Sequence, residues 1–144
     1  MGVPIIIPDA SVILKWAFRS PKEQDLEKAM DILNLWLEGK VEMILPKLWA
    51  FEVGNVLALK NPQYAQEIMK IFIEYHFPEY GITTELCSET FKLIRQYRVT
   101  FCDAVYHAIA LLKNGTMITM DKAYYRKAVK AGNVMILEDF IKGT

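Results

Sequence analysis

The sequence lacks most of the features that announce a chemistry. Its two cysteines, Cys87 and Cys102, are too few for a disulfide framework or a four-cysteine zinc site. Neither has a basic neighbour in sequence, so both read as packing residues with reduced thiols. Charge of one sign is also lacking. Seventeen Lys and Arg balance 17 Asp and Glu, which excludes a strong, sequence-blind grip on nucleic acid through bulk positive charge. No apolar run approaches the roughly 18 residues that cross a membrane. Residues 1–8 have no basic leader region, and position 6 is Ile6, where an acylation signal wants Ser or Thr. A cytoplasmic protein without membrane attachment is expected. A glycine-rich phosphate loop is missing as well, which disfavours nucleoside triphosphate hydrolysis. There is no repeat, low-complexity tract or linker.

What is present is apolar. Hydrophobic residues make up 53% of 144 positions, enough for the core of a single domain over residues 1–144 and too many for a disordered chain. The run Ile5-Ile6-Ile7, closed by Pro8 and Asp9, reads as a short buried strand. Strands are also expected over 41–45, 80–83, 116–119 and 134–137. Helices are expected over 11–18, 21–38, 47–60, 63–76, 85–98, 103–113 and 122–130. Leu26, Ala29, Met30, Leu33 and Leu37 form the apolar stripe of the second helix. Short apolar strands alternating with helices predict an α/β fold, a three-layer α/β/α sandwich around a mainly parallel sheet. Ligands in such folds bind beyond the carboxyl ends of the strands.

Four acids stand out against that frame. Asp9 follows the first strand, Asp121 follows the strand over 116–119, and Asp103 opens a helix. Each has a plain reading, because Asp is a preferred helix cap and suits the helix dipole. Glu52 is harder to explain that way. It is the only charged residue between Leu48 and Leu59, and Leu48, Trp49, Val56 and Leu59 lie within about 60° of it around the helix. A carboxylate on an apolar flank must be paired, protonated or bound to metal, and a structural pairing with Lys or Arg stays open. Taken jointly, several carboxylates on one rim repel each other unless a cation sits among them. Oxygen ligands of this kind suit Mg²⁺ or Mn²⁺. Such ions polarise phosphates and activate water, so phosphodiester hydrolysis is the reaction that fits.

These residues resemble the PIN domain, and more narrowly the VapC-type toxins of toxin–antitoxin pairs. The matching segments are Asp9-Ala10-Ser11-Val12 with Lys15-Trp16; Pro46-x-Leu48-Trp49 with Glu52-x-x-Asn55-x-Leu57; Asp103-Ala104 with Ala108-x-Ala110; and Thr119-x-Asp121. They occur in the family's order. The resemblance implies a Rossmann-like fold and a Mg²⁺- or Mn²⁺-dependent endoribonuclease with Asp9, Glu52, Asp103 and Asp121 as catalytic, metal-holding acids. It casts Ser11, Asn55 and Thr119 as polar groups that orient the acids or a water. It further implies an RNA substrate, a homodimer and a small VapB-like antitoxin that occludes the site. Some members carry one more acid shortly after the fourth. Here positions 123 and 125 are Ala123 and Tyr125, so one- or two-metal chemistry stays open.

Three other functions compete. A PIN ribonuclease of RNA processing or decay would lack an antitoxin, and a metal-free binding module would keep only the fold. A signalling receiver needs a phospho-accepting Asp after its third strand, yet no Asp occurs between Asp31 and Asp103. Other residues have plain readings. His107 lies one turn after Asp103 but reads as a structural histidine, and His76 as a helix-end residue. Trp16, Trp36 and Trp49 read mostly as core. Lys122, Arg126, Lys127 and Lys130 recur at helical spacing. Lys122 and Arg126 are candidate RNA contacts, and a solvated helix face explains the cluster equally well. Setting the four acids aside leaves 17 basic against 13 acidic residues, so a neutral total can hide an acidic pit in a mildly basic surface.

Overall fold

A computed structural model describes residues 2–18 and 25–142. Strand β1 (Ile5–Pro8) is followed by helices α1 (Ala10–Ala17) and α2 (Leu26–Leu37). Two very short strands, β2 (Glu42–Met43) and β3 (Leu45–Pro46), lead into α3 (Trp49–Lys60) and α4 (Ala65–Glu74). Then come β4 (Glu79–Tyr80), α5 (Thr84–Tyr97), α6 (Phe101–Lys113), β5 (Thr116–Thr119), α7 (Lys122–Ala128) and β6 (Val134–Ile136). The main sheet has the order β2-β1-β5-β6, with every neighbour parallel.

Alternation along the central strands builds the three layers. Ile6 and Ile118 point to one face, where α1, α2 and α3 bury Val12, Ile13, Trp16, Ile32 and Val53. Ile7 and Met117 point to the other, where α5 and α6 bury Leu86, Leu93, Val105 and Ile109. Each strand therefore reads as continuously apolar, as expected for a sheet covered on both faces. The expected sandwich is present.

Several boundaries differ. The segment over 41–45 is not one strand: β2 pairs with β1 and β3 pairs with β4, so the chain changes sheets at Ile44. The strand expected at 80–83 is Glu79–Tyr80, because β3 fixes its register. The start expected for the second helix at Pro21 lies outside the described residues. Within that helix Ala29, Ile32, Leu33 and Leu35 are buried, while Leu37, on its last turn, is 55% exposed. Helix α6 begins earlier than Asp103, because the Thr100 hydroxyl accepts from the Asp103 N–H and caps it. Residues 129–131 form a 3-10 turn rather than the end of α7, and Leu137 opens another. His76 takes the left-handed conformation just after α4, a position His tolerates.

Candidate active site

The carboxyl ends of β1 and β5 are joined before any acid is considered. Pro8 aligns with Ile118, and the Asp9 N–H donates to the Ile118 carbonyl at 3.0 Å. Asp9 and Thr119 thus meet side by side. The Thr119 hydroxyl donates to Asp9 Oδ2 at 2.5 Å and accepts from the Asp121 N–H at 3.0 Å. Ser11 donates through both its N–H and its hydroxyl to Asp9 Oδ1, and that hydroxyl accepts from the Met120 N–H. Asp9 caps α1 and Asp121 caps α7. The cap reading therefore holds for both residues.

Glu52 approaches from α3. The Trp49 indole N–H donates to Glu79 Oε2 at 2.7 Å, tying the start of α3 to β4. Glu52 is half-buried, and its Oε1 accepts from the Tyr106 hydroxyl at 2.7 Å. The partner is therefore a phenol on α6, three residues beyond Asp103. Ion pairs described in the structure lie elsewhere: Lys40–Glu38, Lys92–Glu89 and Lys122–Glu138. The helix flank around Glu52 is less buried than its composition suggests, since Phe51 is 80% and Leu59 76% exposed.

Electrostatics tie the acids together. Burial lifts Asp9 to about 6 against the hydrogen bonds from Ser11 and Thr119, and Asp103 adds to the rise. Burial lifts Glu52 to about 7, opposed by Tyr106 and reinforced by Asp9 and Asp103. Asp103 is also raised, first by burial and then, after the opposing Thr100 hydrogen bond, by Asp121, while Lys127 pulls it down. Each of the four acids acts on, or is acted on by, another of the set.

Other expected residues fall as follows. Ser11 and Thr119 hold Asp9, as described. Asn55 is exposed on α3, and no hydrogen bond brings it to the acids. Asp103 and Asp121 line a pocket of about 120 Å³ with Arg98, Thr100, Tyr124 and Lys127, whereas Lys122 and Arg126 do not line it. His107 is fully buried, held between the Tyr124 hydroxyl at 2.7 Å and the Gly132 carbonyl at 2.6 Å. A carbonyl only accepts, so Nε2 carries the proton and Nδ1 accepts from Tyr124. Burial pushes this histidine's pKa down, as befits a neutral structural group. Cys102 is exposed, not packed, because it occupies the solvent side of the first turn of α6; Cys87 is half-buried. Trp16 and Trp49 are core residues, while Trp36 is half-buried against Phe77.

Tyr106 escaped the sequence reading, because an aromatic on an apolar helix carries no mark of its partner. Thr100 left a signal: Thr100-x-x-Asp103 is the spacing of a capping box.

The family model for the PIN domain matches residues 6–130. The chain belongs to the PIN domain family. Structures similar to this PIN domain come from toxin–antitoxin systems. A toxin–antitoxin complex from Klebsiella pneumoniae matches with a TM-score of 0.67 and 17% identity, covering 92% of this chain and 97% of that one. VapBC2 from Rickettsia felis, bound to a fragment of promoter DNA, matches at 0.68 and 12%, covering 92% and 96%. VapC20 from Mycobacterium tuberculosis, a toxin that cleaves the sarcin-ricin loop, matches at 0.65 and 15%, covering 90% and 96%. A comparison with curated proteins finds no match. Among the described residues no helix is long and apolar enough to cross a membrane.

The acids of this PIN domain suit a hard divalent cation in chemistry, being oxygen donors only, with Asp9 buried among like charges. As they stand, no three His, Cys, Asp or Glu side chains among the described residues converge tightly enough to hold an ion. A cation that keeps its waters and takes one or two carboxylates asks for less than that.

Proposed function

We propose that this PIN domain, as one nuclease domain over residues 1–144, is a Mg²⁺- or Mn²⁺-dependent endoribonuclease and the toxin of a VapBC-type pair. The observation that carries the reading is that Asp9 and Asp121, at the carboxyl ends of β1 and β5, share the Thr119 hydroxyl, while Asp103 and Glu52 lie near enough for Asp103 to act on Asp9, Asp9 on Glu52 and Asp121 on Asp103. A divalent cation bound there supplies Lewis acidity toward a phosphate oxygen and a water of lowered pKa.

The chain's own residues prepare the site. Ser11 and Thr119 fix both oxygens of Asp9, and Tyr106 fixes Glu52. Asp9 and Glu52, lifted to about 6 and about 7, exchange protons for a cation on binding, so cation affinity rises with pH through that range. Asp103 and Asp121 face the open pocket and meet the substrate side. A small antitoxin and a second copy of the chain complete the cytoplasmic assembly. Exposed Phe51 and Leu59 on α3 and Ile71 and Ile73 on α4 supply apolar surface for such contacts.

The test is cleavage of RNA in Mg²⁺ or Mn²⁺. Wild type cleaves, excess chelator stops it, and Asp9→Asn and Asp103→Asn are folded and nearly inactive. Equal cleavage by the variants would sink the acidic-site reading. Cleavage in vitro with no growth arrest on expression would favour an RNA-processing enzyme over a toxin.

A further inference from the structure

We propose that Arg98 and Lys127 form a phosphate subsite that holds the backbone of single-stranded RNA beside the acids. For its ligand this rests on the ribonuclease reading above.

The pocket shared by Arg98, Thr100, Asp103, Asp121, Tyr124 and Lys127 has a volume of about 120 Å³. At about 30 Å³ per water, that is room for roughly four water-sized groups, the scale of one phosphate and its oxygens. The acids alone would repel an anion, but two cations share their pocket. Arg98 and Lys127 line it together with Asp103 and Asp121. Once the acids hold a divalent ion, the same pocket carries a positive surplus.

Arg98 stands out by its backbone. It ends α5 in the left-handed region, with φ 55° and ψ 53°. The other described non-glycine residues with positive φ are Asp25, His76, Asn114 and Asn133, all of types that tolerate it. Arginine does not, and glycine would occupy the position without strain. The strain is kept together with a guanidinium, the side chain best shaped to bind phosphate through two hydrogen bonds. Thr100 is already engaged with Asp103: its oxygen accepts from the Asp103 N–H at 3.3 Å and its hydroxyl bonds the Asp103 carboxyl, which leaves the two cations to face the pocket. Lys122, by contrast, is turned to Glu138 at 3.5 Å.

The test is RNA binding in Mg²⁺, measured by fluorescence anisotropy with a labelled single-stranded oligoribonucleotide over a range of salt. The background is Asp9→Asn, which suppresses cleavage. Arg98→Gly and Lys127→Ala should each weaken binding several-fold and lower the salt slope by about 0.7, the value for one phosphate contact on a single strand. Arg98→Gly should melt no lower than its parent, because strain is removed, which separates lost binding from lost folding. In the otherwise wild-type enzyme both substitutions should raise KM more than they lower kcat. Unchanged affinity and slope in both variants would overturn the subsite, as would a loss confined to Lys122→Ala and Arg126→Ala, or no RNA binding by the parent. Binding through Arg98 and Lys127 by a wild-type protein that cleaves no RNA would instead overturn the ribonuclease reading and leave the subsite standing.

Discussion

The ends of β1 and β5 share one local pattern: a strand, an aspartate that caps, and a helix. Their surroundings differ. After β1 the chain enters α1, where Val12, Ile13 and Trp16 are buried, and Asp9 is drawn in with them to 7% exposure. After β5 it enters the short α7, which buries only Tyr124 and Ala128, and Asp121 stays exposed. Across the cleft, half-buried Glu52 joins Asp9 in accepting protein hydroxyls, while Asp103 joins Asp121 in a pocket with two cations. Burial of the following helix, rather than the cap motif, decides which aspartate is desolvated. Asp9 is buried, Glu52 and Asp103 are both half-buried, and Asp121 is exposed, so desolvation falls off stepwise from β1 to β5.

The largest effect expected from breaking this contrast is chemical. Asp9→Asn should lower kcat/KM for RNA by about a thousandfold, equivalent to about 4 kcal/mol of barrier, with no loss of folding by circular dichroism. Asp121→Asn should leave a larger residual rate. Parity between them would erase the distinction.

Next comes the pH dependence of stability without metal. Asp9 has its folded pKa raised from 3.8 to about 6, and Glu52 from 4.5 to about 7. Between those values these two groups bind more protons in the folded state than in the unfolded one, so their contribution to stability is full below about pH 4 and is lost as pH rises through 6 and 7. Asp9 accounts for up to about 3 kcal/mol of the decline at 1.36 kcal/mol per pH unit. Urea denaturation at stepped pH should show the fall in wild type and a shallower one in Asp9→Asn. Added Mg²⁺ should restore stability at pH 8. A wild-type profile that climbs over this range would contradict the burial argument.

A smaller effect is expected at Tyr106. Tyr106→Phe removes the donor that stabilises ionised Glu52, a loss of about 1 kcal/mol. Calorimetric titration at pH 7 should then show divalent-cation affinity weakened about fivefold. An unchanged affinity would mean that Glu52 stands outside the cation site.

Much of this organisation was legible in sequence, for physical reasons. Ile5-Ile6-Ile7 and Thr116–Thr119 announced buried strands because both faces of the sheet are covered. Glu52 announced itself as a lone charge on an apolar helix. The break at Ile44 was not legible, because residues 41–45 keep one uninterrupted apolar pattern while their hydrogen-bonding partners change from β1 to β4. Tyr106 was hidden because its partner lies 54 residues away. Lys127 stood in the basic cluster after Asp121, but Arg98 was hidden, because only the packing of α5 beside α7 brings the two to one pocket. The exposure of Cys102 depended on where α6 starts, and Thr100 decides that by capping the helix ahead of Asp103.

The hydroxyl of Thr119 gives to Asp9 and receives from the backbone of Asp121. Two acids from different loops thus hang on a single oxygen atom, like two hands of a gauge on one pin. A fluctuation that shifts either loop carries the other with it, so their separation varies less than either position does.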